Sequence, residues 1–213
     1  MTTRVPVGEA RRGTETRERM LQVAETHFAR SGYEGAHLER IATEVGVRKT
    51  ALYYYFESKE ALYAAVLERM LLEFERVIRP ALDCNKPSAA KLEALLDAIN
   101  DLLASQPNYS QILVRIFVDR IPIDASSIAP IVERLILSVL GFFRRGKEEG
   151  IFRDLSSRHV FQSVLGMAIF HYAAGDFSAM LLDVDDLFAE RSVDWRRQEF
   201  RELLLRGVLR EGR

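Results

Sequence analysis

Cysteine is almost missing from this chain: Cys84 is the single one in 213 residues. No intramolecular disulfide can form, and the count fits a reducing cytoplasm. No uninterrupted apolar run approaches the ~20 residues needed to span a bilayer, so no membrane partner is expected. Residues 1–13 hold Glu9 and scattered arginines but no apolar core, unlike a secretion signal. An excess of either charge is lacking too. The formal net charge is −1, and residues 1–60 carry ten Lys/Arg against nine Asp/Glu. Composition therefore gives no general attraction to nucleic acid, and any basic surface must come from local placement. His159 and His171 lie too far apart along one helix to chelate together, and no cluster has metal-ligand spacing. Asp183, Asp185 and Asp186 lack the Gly and Glu of a calcium loop and read as a solvated acidic loop. A Gly-rich phosphate loop and a nucleophile elbow are absent. No metal or cofactor is expected, and no set of residues is placed for catalysis.

What is present is folded, helical material. With 48% hydrophobic and 29% charged residues, the chain is long enough for one large domain or two small ones. No strand alternation, repeat or low-complexity tract occurs, so the expected fold is all-α with about nine helices. Residues 1–13, with Pro6, Gly8 and Gly13, read as a flexible arm. Thr14 is an expected N-cap for a first helix carrying Met20, Leu21, Ala24 and Phe28 inward, stopped at Gly32. Ser58 caps a long helix running to about Arg79, ahead of Pro80. Ser88 is the expected cap of a helix to Ser105. Tyr109–Ile121 forms the next, ended by Pro122. Ser126 or Ser127 opens another to Glu149, with Pro130 in its first turn and Gly150 as its stop. A helix spans 157–174, with Gly166 and Ala168 small enough for close helix contact. A last one begins near Ser192.

The informative stretch is Leu38–Lys59. Leu38, Ile41, Ala42 and Val45 share one face at i, i+3, i+4, i+7 spacing. Gly46 breaks the pattern as a residue able to take positive φ does, and Val47 and Leu52 resume it. This is the arithmetic of a helix-turn-helix, with Ala42 small where the two helices nearly touch. On spacing alone an ordinary pair of core helices fits equally well.

More residues carry a resemblance. Phe28, Gly32-Tyr33, Ile41-Ala42, Val45-Gly46-Val47, Ala51 to Phe56, and Ser58-Lys59-Glu60-Ala61-Leu62 follow one another without a gap. In that order and spacing, Arg17–Leu62 resembles the DNA-binding domain of the tetracycline-repressor (TetR) family of bacterial regulators. The resemblance implies an N-terminal three-helix helix-turn-helix domain over 14–62. It also implies a C-terminal helical bundle over 63–213 for ligand binding and dimerisation. Two departures stand out. The family commonly has Thr or Ser near Ala36 and His37, where neither residue here is a good cap, and His where Tyr55 stands.

Implied functional residues follow. Arg48, Lys49 and Thr50 fall at the family's base-facing positions, and Arg and Lys suit guanine O6 and N7. Tyr53, Tyr54 and Tyr55 have hydroxyls able to reach phosphates, and Lys59 adds charge at a helix start. Arg4, Arg11 and Arg12 on the arm are further candidates, with a merely solvated tail as the alternative. In the C-terminal part Met70, Phe74, Tyr109, Phe117, Phe142, Phe170 and His171 are candidates for a ligand pocket, although the same residues describe any helical core. The helices at 157–174 and 192–211 are candidates for a two-fold dimer interface. The expected protein is a cytoplasmic, homodimeric regulator, a repressor released from an operator in double-stranded DNA by a small, mainly apolar effector. Alternatives left open are a helical small-molecule-binding or scaffolding protein without DNA binding, and a helical enzyme. A flat salt dependence of DNA association would mark the first, and turnover of a bound compound the second.

Overall fold

Amphipathic periodicity of 3.6 residues, unbroken by any strand-like run, is what builds this molecule. The structure is a computed structural model that describes residues 7–119 and 126–210, with side chains described from residue 13 onward. Among the described residues there are ten helices: α1 (Val7–Gly35), α2 (Leu38–Val45), α3 (Lys49–Tyr55), α4 (Lys59–Asp83), α5 (Ser88–Ser105), α6 (Pro107–Val118), α7 (Ala129–Glu148), α8 (Ser157–Ala173), α9 (Asp176–Leu182) and α10 (Glu190–Val208). A lone bridge joins Phe152 to Leu209.

The first four helices pack around an aromatic trio. Phe28 and Tyr33 from α1 meet Tyr63 from α4, the edge-on contacts to Tyr63 lying at 4.7 and 5.3 Å between ring centroids. Leu52 from α3 and Ile41 from α2 are fully buried beside them, each worth about 1.5–3 kcal/mol of burial. From there α4 carries the chain into the larger bundle, where it lies against α5 and α7. Helix α5 is in turn covered by α8 and α10, and α8 also packs on α6 and α7. Helix α6 returns to touch α1, so the first helices are held both through α4 and through α6.

Several boundaries differ from the sequence reading. Helix α1 begins at Val7, ahead of the expected Thr14, because Glu9, Ala10, Arg11 and Arg12 favour helix and Gly13 is tolerated within it. Residues 7–13 are therefore helical, not a loose arm; residues 1–6, with Arg4, lie outside the described residues. Gly32 does interrupt α1, at φ 72° and ψ 177°. Pro80 sits inside α4 instead of ending it. It is exposed, so solvent can satisfy the carbonyl it leaves unpaired. Ser88 does not cap α5: its hydroxyl donates across to the Glu149 carboxylate, and Pro87 holds the cap position. Helix α6 starts at Pro107 and ends at Val118, while Pro122, its expected terminator, lies outside the described residues. Ser126 and Ser127 form a turn ahead of α7, which starts at Ala129 with Pro130 in its first turn. Helix α10 starts at Glu190, not at Ser192, after Asp186 accepts a 2.8 Å bond from the Phe188 amide and shapes the entry. The tenth helix, beyond the nine expected, is the short α9.

Candidate nucleic-acid interface

Leu38, Ile41, Ala42 and Val45 are all buried, and they fix which face of α2 is hidden. Gly46 adopts φ 82°, ψ 31°, a left-handed conformation that lets the chain reverse within a few residues. The turn is closed by the Val47 amide donating to Ala42 O at 2.9 Å and the Gly46 amide to Thr43 O at 3.0 Å. Because Leu52 then anchors α3 from below, the helix's opening residues Arg48, Lys49 and Thr50 are all exposed together. Neither α2 nor α3 has a side-chain N-cap. For α2 this agrees with the poor capping chemistry of Ala36 and His37.

Tyr54 is the most outward of the tyrosines, 84% exposed. Tyr53 is also exposed. Tyr55 is half-buried, edge-on to Tyr54 at 5.3 Å, with its hydroxyl beside Gly13 of α1. Lys59 is only partly available: its Nζ donates to Glu34 O at 3.2 Å and sits 4.6 Å over the Tyr33 ring. Its partner Ser58 caps α4, accepting from the Ala61 amide at 3.1 Å. The structure thus gathers Arg48, Lys49, Thr50, Tyr53 and Tyr54 on one open surface and turns Tyr55 and Lys59 toward α1.

One feature of this surface escapes sequence reading. The Lys49 ammonium is ion-paired with Glu39 of α2 and lies over the Tyr53 ring at 5.9 Å. The hydrogen bond to Glu39 pushes the Lys49 pKa up, and the reciprocal bond pulls Glu39 down. The two residues lie on different helices, outside any local spacing rule, so only the fold of the turn brings them together.

The surface is braced from behind by polar contacts between residues far apart in sequence. Arg69 of α4 is paired with Glu18 and Glu25 of α1. Glu25 is buried, and Asn108 of α6 donates to it at 3.0 Å. Arg115 of α6 donates to the carbonyls of Ala29 and Arg30 at 3.0 and 2.9 Å, in the turn just before Gly32 interrupts α1. Tyr33 donates to Glu60 at 2.5 Å, the main cause holding the Glu60 carboxyl down at about 2.

The seven ligand candidates do not meet in one pocket. Met70, Phe74 and Tyr109 are core, Phe74 and Tyr109 at 6.1 Å, and burial pushes the Tyr109 pKa up to about 12. Phe142 packs on Phe143 and Phe152. Phe117 is 66% exposed and Phe170 59% exposed, the latter against Phe177, because each lies on the outer side of its helix. His171 is buried with its Nε2 unpartnered, beside a cavity of about 80 Å³ lined by Leu182, Val184, Leu187 and Arg196. Burial first, and Arg196 second, lowers its pKa to about 4. Larger clefts lie elsewhere: about 320 Å³ between α4 and α7, and about 530 Å³ where α1, α6 and α8 meet. Met70, Phe74 and Tyr109 line none of these three. Among the described residues no three His, Cys, Asp or Glu side chains are grouped to hold a metal, and no single helix is long and apolar enough to cross a membrane.

Residues 20–66 match the family model described as bacterial regulatory proteins, tetR family. Over 214 residues the chain is 25% identical to the HTH-type transcriptional repressor NicS of Pseudomonas putida, covering 99% of this chain and 100% of that protein. It is 52% identical over 52 residues to the HTH-type transcriptional regulator RutR of Escherichia coli K12, 24% of each chain. Among solved structures, AibR in complex with isovaleryl coenzyme A and operator DNA superposes with a TM-score of 0.71 at 18% identity, covering 89% of this chain and 98% of that one. At that identity the likeness is one of fold.

Proposed function

We propose that this chain, whose residues 20–66 match the tetR family model, represses transcription from a palindromic operator until a small effector releases it. The observation that carries the reading is the joint exposure of Arg48, Lys49 and Thr50 at the start of α3, over a rigid buried face. Arg48 and Lys49 supply donors to base edges, Thr50 a hydroxyl and a methyl, and Tyr53 and Tyr54 hydroxyls for phosphates. Residues 14–62 would form the reading head and residues 63–213 the effector-binding and dimerising part. NicS is named a repressor, and AibR was solved with an acyl-CoA and operator DNA together. The first supports a repressor in preference to an enzyme, and the second supports ligand control with duplex DNA as partner; the cytoplasm is the proposed place of action.

A single helix reads only half of a palindrome, so a homodimer with recognition helices about 34–36 Å apart is part of the proposal. The face for it is α8 with α10, where Phe170, Trp195 and Leu203 are exposed and Gly166 faces open space. Control is a population shift: effector binding favours a dimer whose α3 helices no longer match successive major grooves. Helix α4 and the Arg115 and Asn108 contacts of α6 are the mechanical links to α1.

Selection of bound sequences from random duplex DNA by the purified protein at moderate salt tests this. A palindromic consensus is expected. No enrichment would transfer the weight to a helical binding or scaffolding protein that does not read DNA.

A further inference from the structure

The cleft between α4 and α7 has a composition unlike the core around it. Its floor is apolar, made by Ile78, Leu82 and Leu135, the first two buried. Its rim holds three guanidiniums, Arg79 from α4 and Arg134 and Arg145 from α7, against the carboxylates of Glu75 and Asp83. Glu75 alone absorbs two of them. Arg134 grips it with two bonds, Nε to Oε1 at 3.0 Å and Nη2 to Oε2 at 3.1 Å, and Arg79 donates to Oε1 at 2.7 Å. Arg145, further along α7 and exposed, makes no ion pair among the described residues. At about 320 Å³ the cleft falls within the range of small-molecule sites.

We infer that this cleft binds an amphiphilic anion, with a phosphate or carboxylate head among Arg79, Arg134 and Arg145 and an apolar tail on Ile78, Leu82 and Leu135. The inference deepens the ligand-responsive reading above and rests on it. Forked guanidiniums match the oxygens of a phosphate or carboxylate two at a time, and the Arg134–Glu75 pair already displays that geometry with an internal carboxylate. A cationic rim over low-dielectric walls concentrates anions near it. The floor alone would accept any apolar molecule, so the arginines set the class. The site also has a route to DNA. Arg134 holds α7 to α4 through Glu75, and α4 begins at Lys59, directly after the recognition unit. A ligand head that takes Arg134 from Glu75 releases that tie.

Calorimetric titration of the full chain, without DNA, tests the assignment with three probes below their micelle concentrations: octyl phosphate, octanoate and octanol. Both anions are expected to bind at one per subunit and at least about tenfold tighter than octanol, a difference of one charge-assisted contact or more. The tighter of the two identifies the head. Hexyl phosphate should be weaker than octyl phosphate by roughly tenfold, from two fewer buried methylenes. Arg145→Gln removes no structural pair and should weaken octyl phosphate binding about fivefold or more. Ser138→Trp, an exposed position on the cleft wall, should block all three probes while leaving thermal unfolding unchanged. Octanol binding as tightly as the anions, or octyl phosphate unaffected by both substitutions, overturns the assignment. If an operator is still selected from random DNA in that case, the cleft is wrong and the regulator stands. If no operator is selected either, the reading beneath it falls too.

Discussion

Lys49 already has a partner that competes with the base contact proposed for it. In the free protein its ammonium is held by Glu39, and to donate to a base it must leave that carboxylate. Lys49→Ala should weaken operator binding by roughly five- to hundredfold, the span of one base-reading side chain, and relax preference at one position. Glu39→Gln should do the opposite and tighten binding a fewfold by freeing the donor; measured affinities at fixed salt decide both. His171 makes a second prediction. Its ordinary value of 6.5 falls to about 4 in the fold. The unfolded chain therefore takes up a proton near pH 6.5 that the folded chain refuses until near pH 4. Stability from this group is fully present above pH 6.5 and is lost as pH falls toward 4. Urea midpoints measured from pH 7 to 4 should drop less steeply in His171→Leu than in the wild type.

At the scale of elements, α1 and α6 form a joint that depends on both partners. Gly32 breaks α1 with a positive φ, and Arg115 donates to the carbonyls of Ala29 and Arg30 just before it. Arg115→Ala should cost about 1–3 kcal/mol, the range for hydrogen bonds made by a charged donor. Gly32→Ala should cost a similar amount through backbone strain. Chemical denaturation reads both, and Arg115→Ala should also weaken any effector dependence of operator affinity. Little of this joint was legible beforehand. The helix-turn-helix was, because Leu38, Ile41, Ala42 and Val45 repeat at helical spacing and Gly46 marks the turn, all local signals. Pairs such as Arg115 with Ala29, or Glu25 with Arg69 and Asn108, link residues far apart in sequence and carry no periodicity. The ligand candidates failed to converge for a related reason. Aromatic residues such as Phe117 and Phe170 are apolar whether their helix turns them inward or out, and orientation is decided by tertiary packing. Ser88 has the cap chemistry of a serine at a helix start, yet its hydroxyl donates instead to Glu149, just past the end of α7.

On the proposed function the whole molecule presents two reading heads at a fixed separation, and the face proposed for this can be tested without touching DNA contacts or the core. Gly166 lies on the outer side of α8, and a Cβ built there meets nothing within 4 Å. A large side chain at that position therefore finds room in the isolated chain. Against a second copy seated on α8 and α10 it would collide, since close helix packing leaves interaxial distances of only about 8–10 Å. Gly166→Trp should keep the thermal stability of the monomer within about 1 kcal/mol, helix propensity even favouring the change. Light scattering should show dimer for the wild type and monomer for the variant. Operator affinity should fall steeply, because each monomer keeps an intact Arg48-Lys49-Thr50 surface but only one half-site contact. A single half-site duplex should be bound equally by both proteins, which separates loss of pairing from damage to the reading head. A variant that remains dimeric would place the interface on another face and remove α8 from the geometry that spaces the recognition helices.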